Sequence, residues 1–88
     1  MGITRNSFRI LILLYRLKKE KPSNLIQISK IARRTVFDNL NYLEEKGFID
    51  KDVRIQTHYY FLTDIGLNIV KRAIQMTPQE RDRFLRTI

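Results

Sequence analysis

Apolar and polar positions change their period along the chain, and each change predicts an element. From Phe8 to Leu17 (FRILILLYRL) apolar side chains cover most of a helical circumference, which suits a helix buried on more than one side. Asn6 or Ser7 can cap its start, since either side chain accepts a hydrogen bond from an orphan N–H, and the helix is predicted to run to about Lys19 before Pro22 ends it. Phe8, Leu11 and Leu14 are expected to face the core. Ile10, Leu13 and Leu17 then need a second cover, either the chain's own C-terminus or another subunit. Ser23 or Asn24 caps a short second helix over 25–29, with Leu25, Ile26, Ile28 and Ile31 supplying its apolar contacts.

Residues 32–47 (ARRTVFDNLNYLEEKG) read as one helix with two faces and a glycine stop. At about 100° per residue, Val36, Leu40 and Leu43 share one stripe, while Arg34, Phe37, Asp38 and Asn41 point away from it. Two helices joined by a tight turn over residues 30–32, the second longer and polar on its outer face, make a helix-turn-helix pattern.

Beyond Gly47 the period becomes alternating through Phe48, Ile49, Lys51, Val53 and Ile55, and again through Tyr59, Tyr60, Phe61 and Leu62. That predicts a hairpin with strands at about 48–53 and 58–62 and a tip near 54–57. Thr63 or Asp64 caps a further helix to about Met76, with Ile65, Ile69, Val70, Ala73 and Ile74 on its buried side and Gly66 allowing close backbone approach. Thr77-Pro78-Gln79-Glu80 then combines capping-box spacing with proline at the first helical position. Phe84, Leu85 and Ile88 form an apolar ridge on this last segment. A lone helix of about ten residues is marginal in water, so the ridge should dock on the first helix, within the chain or across a dimer.

Composition narrows the role. Eighty-eight residues suit one domain of thin stability margin. With no cysteine, disulfides and thiolate metal sites are excluded, and an intracellular, cytoplasmic location is expected. The longest apolar run, Ile10 to Tyr15, is far short of the ~20 residues that span a bilayer, so no membrane partner is expected. The net charge of +8 is uneven: residues 1–34 hold nine Lys or Arg against one acidic residue, whereas residues 35–64 hold three against six. A basic first third is what phosphate contacts require, and it equally describes a solubilising surface. The lone His58 lacks the three or four convergent ligands of a metal site. Glu44 and Glu45 are adjacent on a helix and do not face each other as an acid/base pair. No nucleophilic triad or glycine-rich phosphate loop is present, so neither an enzyme nor a cofactor is expected.

Thr35-Val36, then Leu43-Glu44-Glu45-Lys46-Gly47-Phe48-Ile49, and later Phe61-Leu62-Thr63-Asp64-Ile65-Gly66 resemble the winged helix-turn-helix domains of small archaeal and bacterial MarR-like and PadR-like regulators. The resemblance covers roughly residues 6–76. It implies an α+β fold with a three-helix core, a two-stranded β-hairpin wing and C-terminal helices, residues 77–88 being a candidate dimerisation element within a single domain. It also implies a nucleoid-associated transcriptional regulator that binds double-stranded DNA, with the helix over 32–46 in the major groove and the wing over 50–60 on the backbone or minor groove. By position, Lys30, Arg33, Arg34, Thr35, Phe37, Asp38 and Asn41 fall on or beside the groove-facing helix, and Lys51, Arg54 and Gln56 on or near the wing.

The residue chemistry fits those positions. Arginine at 34 can read guanine through two parallel hydrogen bonds, and asparagine at 41 can pair with adenine in the same bidentate way. Phe37 can touch a thymine methyl or be buried by a protein partner. Asp38 can accept from cytosine or orient a neighbouring arginine. A homodimer is expected to use Ile10, Leu13, Leu17, Phe84, Leu85 and Ile88, and a two-fold pair would set its reading helices about 34 Å apart. The alternative from another class is a winged helix used as a protein-interaction module, with Phe37, Phe84 and Leu85 in the interface.

Overall fold

A computed structural model describes residues 2–54 and 56–88; Ile55, the last position of the first alternating run, lies outside them. Among the described residues five helices and three short strands follow in the order α1 (Arg5–Leu17), β1 (Lys19–Glu20), α2 (Pro22–Ser29), α3 (Arg33–Glu45), β2 (Ile49–Arg54), β3 (Thr57–Leu62), α4 (Asp64–Ala73) and α5 (Pro78–Arg86). The mixed helix and sheet architecture matches the expected fold class.

The start of α1 differs from expectation. Thr4, not Asn6 or Ser7, is its cap, accepting from Ser7 N at 3.1 Å. Ser7 is freed for a buried role: its hydroxyl accepts from Thr4 Oγ1 and donates to Asn39 Oδ1, while Asn39 Nδ2 donates to Thr35 O at 2.7 Å. This chain fastens the start of α1 to the first half of α3. The end of α1 also comes early. Lys18 turns to φ 73°, its N–H returns to Leu14 O, and Lys19 and Glu20 leave the helix to pair with Phe61 and Tyr60. The sheet is therefore three-stranded and antiparallel in the order β1-β3-β2, not a bare two-stranded wing.

Neither Ser23 nor Asn24 caps α2. Proline occupies its first turn, where no N–H is needed, so the helix begins at Pro22, two residues earlier than a Ser23 cap and three earlier than an Asn24 cap would start it. The Glu20 carboxylate covers this end instead, accepting from Lys21 N and Asn24 Nδ2. At the other end Lys30 takes a left-handed conformation (φ 62°, ψ 16°), the place glycine usually fills. Arg9 of α1 braces the same turn by donating to Ser29 O.

Helix α3 buries Val36, Leu40 and Leu43 and ends as its glycine predicts. With Gly47 at φ 82°, Phe48 N returns to Leu43 O and Gly47 N to Glu44 O, the paired bonds of a Schellman stop. The hairpin then pairs Ile49 with Leu62 out to Arg54 with Thr57. Thr63 caps α4 through Gly66 N and donates to Gly47 O, so one side chain joins the helix to the α3 stop.

Two apolar expectations fail on α4. Ile65 and Ile74 are exposed, because the buried stripe centres on Gly66, Ile69, Val70 and Ala73, and positions 65 and 74 fall roughly 90° to either side of it. The helix also stops at Ala73, short of Met76. On α5 the capping box forms in both directions between Thr77 and Glu80. Its apolar ridge docks within the chain: Leu85 is in the core, and Ile3 N donates to Leu85 O at 2.7 Å. Ile10, expected to await a second cover, is fully buried in the same core. Neither Ile10 nor Leu85 is left on the surface for a second subunit. Leu13, Phe84 and Ile88 are half-buried, and Leu17 is exposed.

Candidate nucleic-acid interface

The buried stripe of α3 fixes what the rest of the helix can do. With Val36, Leu40 and Leu43 turned inward, Arg34, Asp38 and Asn41 line an outer ridge, and Arg33 and Phe37 form a second ridge beside the wing. The side chains of Arg34 and Asp38 are 94% and 71% exposed and stand 3.9 Å apart. A pair that open to water holds each group loosely, so both remain free to meet a ligand. Asn41 is exposed, and Lys30 is exposed at the turn that leads into the helix. Thr35 differs: it is half-buried, and its carbonyl receives the Asn39 amide.

A cleft of about 410 Å³ separates α3 from the wing. Arg33 and Phe37 line it from α3, Gln56, Thr57, His58 and Tyr60 from the hairpin, and Lys21, Pro22 and Ser23 from the start of α2. The Arg33 guanidinium lies over the Phe37 ring, 5.1 Å from its centroid. Buried at the back of the cleft, the Tyr60 phenol has its pKa raised by desolvation, so it is a neutral donor across the ordinary pH range.

Among the sequence-predicted residues, Arg33, Phe37 and Gln56 meet in this cleft, and Arg34, Asp38 and Asn41 on the ridge beside it. Lys51 and Arg54 do not stand free. Lys51 Nζ is 3.5 Å from Glu44 at the end of α3, and Arg54 Nε is 3.1 Å from Asp52, which Lys19 also approaches at 2.8 Å. Hydrogen bonds from Lys19 and then Arg54 hold the Asp52 carboxyl below its ordinary pKa. The wing's cations thus spend much of their charge inside the molecule.

Sequence reasoning missed Lys21, Ser23 and the cleft-facing position of His58. For the first two a signal existed: Lys21-Pro22 marks a helix start as well as the end of the helix before it, and a residue at a helix start stands beside unpaired N–H groups. For His58 none existed, because the alternating run places it on a strand without saying what lies opposite.

No protein-family model and no curated protein matches the chain. Solved structures do. A mutant of MarR from E. coli complexed with operator DNA superimposes with a TM-score of 0.79 at 20% identity, over 94% of this chain and 61% of that one. The transcriptional regulator Tm0710 from Thermotoga maritima gives 0.78 at 22% identity, over 97% and 59%. A mutant of Lactococcus lactis ZitR in apo form gives 0.74 at 17%, over 91% and 74%. The fold is the MarR-like winged helix-turn-helix, and the chain spans about three fifths of the length of the MarR and Tm0710 chains it matches.

Proposed function

We propose that this chain binds double-stranded DNA as a transcriptional regulator, with α3 in the major groove and the wing against the backbone or minor groove. The observation that carries the reading is the outer surface of α3: Arg34, Asn41 and Arg33 project from a helix whose opposite stripe is anchored in the core, on a fold that MarR uses in complex with operator DNA. In this reading Arg34 and Asn41 contact base edges, Asp38 orients Arg34, and Lys30 with Lys21 holds phosphates. Lys51, Arg54 and Gln56 belong to the wing contact, the first two after releasing Glu44 and Asp52. The role is non-enzymatic and its setting is the cytoplasm, on the nucleoid.

We further propose a homodimer, supported by the exposed Leu17 and the half-covered Leu13, Phe84 and Ile88. Light scattering at micromolar concentration tests it, and a monomer mass removes it.

Band-shift titrations over a salt series test the DNA reading. Binding should weaken steeply as salt rises, and Arg34→Ala should cost affinity. Absence of binding to any duplex at low salt refutes it. The use of this fold as a protein-interaction module predicts the reverse for Phe37, whose replacement would alter partner binding and leave the titration unchanged.

A further inference from the structure

The cleft beside the wing joins two chemistries at one place. Arg33 and Phe37 sit one helical turn apart on α3, with the guanidinium over the ring at 5.1 Å. Stacking occupies the planar face of a guanidinium and leaves its N–H fork at the edge unused. Among the described residues no carboxylate pairs with Arg33, whereas Arg34 has Asp38 and Arg54 has Asp52. The ring thus holds the guanidinium beside it, with donors that no carboxylate among the described residues takes up.

Resting on the DNA-binding reading above, we infer that Arg33 and Phe37 act together as one reader of a thymine-guanine step. The fork donates to O6 and N7 of guanine, and the edge of the ring packs on the 5-methyl group of the neighbouring thymine. Adjacent bases along a strand rise about 3.4 Å and are also twisted apart, so their groove edges lie at a separation comparable to that between the guanidinium and the ring. A phosphate contact would ask only for charge, which lysine also supplies. A stacked fork asks for arginine, because an ammonium has neither the plane nor the paired donors. The cation over Phe37 thereby gives this aromatic, anomalous on a polar helix face, a use in base reading.

The test begins with duplexes selected by the wild-type protein from a random pool, followed by fluorescence anisotropy on the selected site. A thymine next to guanine should appear in the selected sequence. Replacing that thymine by uracil removes only the methyl group and should weaken wild-type binding about fourfold, the worth of one buried carbon. Phe37→Ala should bind the thymine and uracil duplexes equally. Replacing the guanine by 7-deazaguanine, or Arg33→Ala, should cost roughly 5- to 150-fold, and Arg33→Lys should not restore it. Phe37→Leu keeps apolar bulk at the site, and its unfolding curve separates lost reading from lost folding. If the wild type binds no duplex at low salt, the DNA-binding reading falls. If it binds but selects no thymine-guanine step, ignores uracil, or works equally well with lysine at position 33, DNA binding stands and the joint reader is wrong.

Discussion

Gly66→Ala isolates the contact that holds α4 against the start of the wing. A Cβ built on Gly66 falls 1.9 Å from the carbonyl oxygen of Phe48, and ordinary contact begins near 3.4 Å, so helix and strand must separate by about 1.5 Å. The oxygen is backbone and cannot swing aside. It also accepts from Thr63 N at 3.1 Å, and Thr63 in turn caps α4 and donates to Gly47 O, so separation strains three bonds along with the packing. Overpacking of this kind costs about 3 kcal/mol, and one weakened hydrogen bond adds about 1 kcal/mol. Alanine returns about 1 kcal/mol through its better helix propensity. The net loss is about 3 kcal/mol, which for a domain this small lowers Tm by roughly 12 to 24 °C. Urea and thermal unfolding followed by far-UV circular dichroism measure it. Gly47→Ala is the control: φ is 82° and the space is empty, so its cost is conformational alone, about 1 kcal/mol, and Gly47→Asn should recover part of it. Gly66→Asn should recover nothing. A urea midpoint for Gly66→Ala at or above wild type would show that α4 is not held by this approach.

Three further outcomes are expected. Lys30→Gly should raise stability by about 0.5 to 1 kcal/mol, because glycine adopts φ 62° without penalty, and should lower DNA affinity by removing a cation; a fall in stability would refute the strain at that turn. Asp52→Asn should lower the urea midpoint at neutral pH. Since the folded carboxyl keeps its charge to a lower pH than the ordinary 3.8, that contribution is present above the ordinary value and is lost as pH falls through the folded one. The variant and wild type should therefore converge once the pH lies below the folded value, and a gap persisting in strong acid would place the effect elsewhere. Thr77→Ala should cost about 1 kcal/mol and move the Glu80 carboxyl, held low first by the Thr77 N–H and then by the Thr77 hydroxyl, part of the way back toward its ordinary pKa in an NMR titration, since alanine keeps the N–H; an unmoved Glu80 would mean the hydroxyl does not help hold it low.

How much of this was legible depended on the range of the interaction. The end of α3 was readable because a glycine stop is local, and the capping box of α5 because four consecutive residues write both of its bonds. The outward face of α3 followed from periodicity alone. Strand β1 was not readable: two residues, Lys19 and Glu20, carry no pattern, and their pairing with Phe61 and Tyr60 spans some forty positions. Ile65 and Ile74 were misplaced because composition favours any apolar residue as core, while packing let the closest approach, at Gly66, choose the buried stripe. The cleft was half legible. Arg33 and Phe37 share a helix ridge that spacing reveals, but Lys21 and His58 reach it from elements whose relative placement only tertiary packing decides.

That same division bears on where the charge of this protein acts. Lys19 and Arg54 converge on Asp52 and Lys51 leans on Glu44, so the hairpin is close to neutral by itself. Those pairs are solvent-exposed and individually weak, and a phosphate can exchange with either carboxylate as a partner. The exchange gains little net charge attraction, because each lysine or arginine released leaves an anion behind. In the proposed complex the cations that gain most from counterion release are instead those whose side chains make no ion pair among the described residues, above all Lys21 and Lys30, at the start of α2 and at the turn. On the proposed DNA-binding reading, the helix-turn-helix unit rather than the wing is expected to set the steepness of the salt dependence, with the wing closing one side of the cleft in which Arg33 is held.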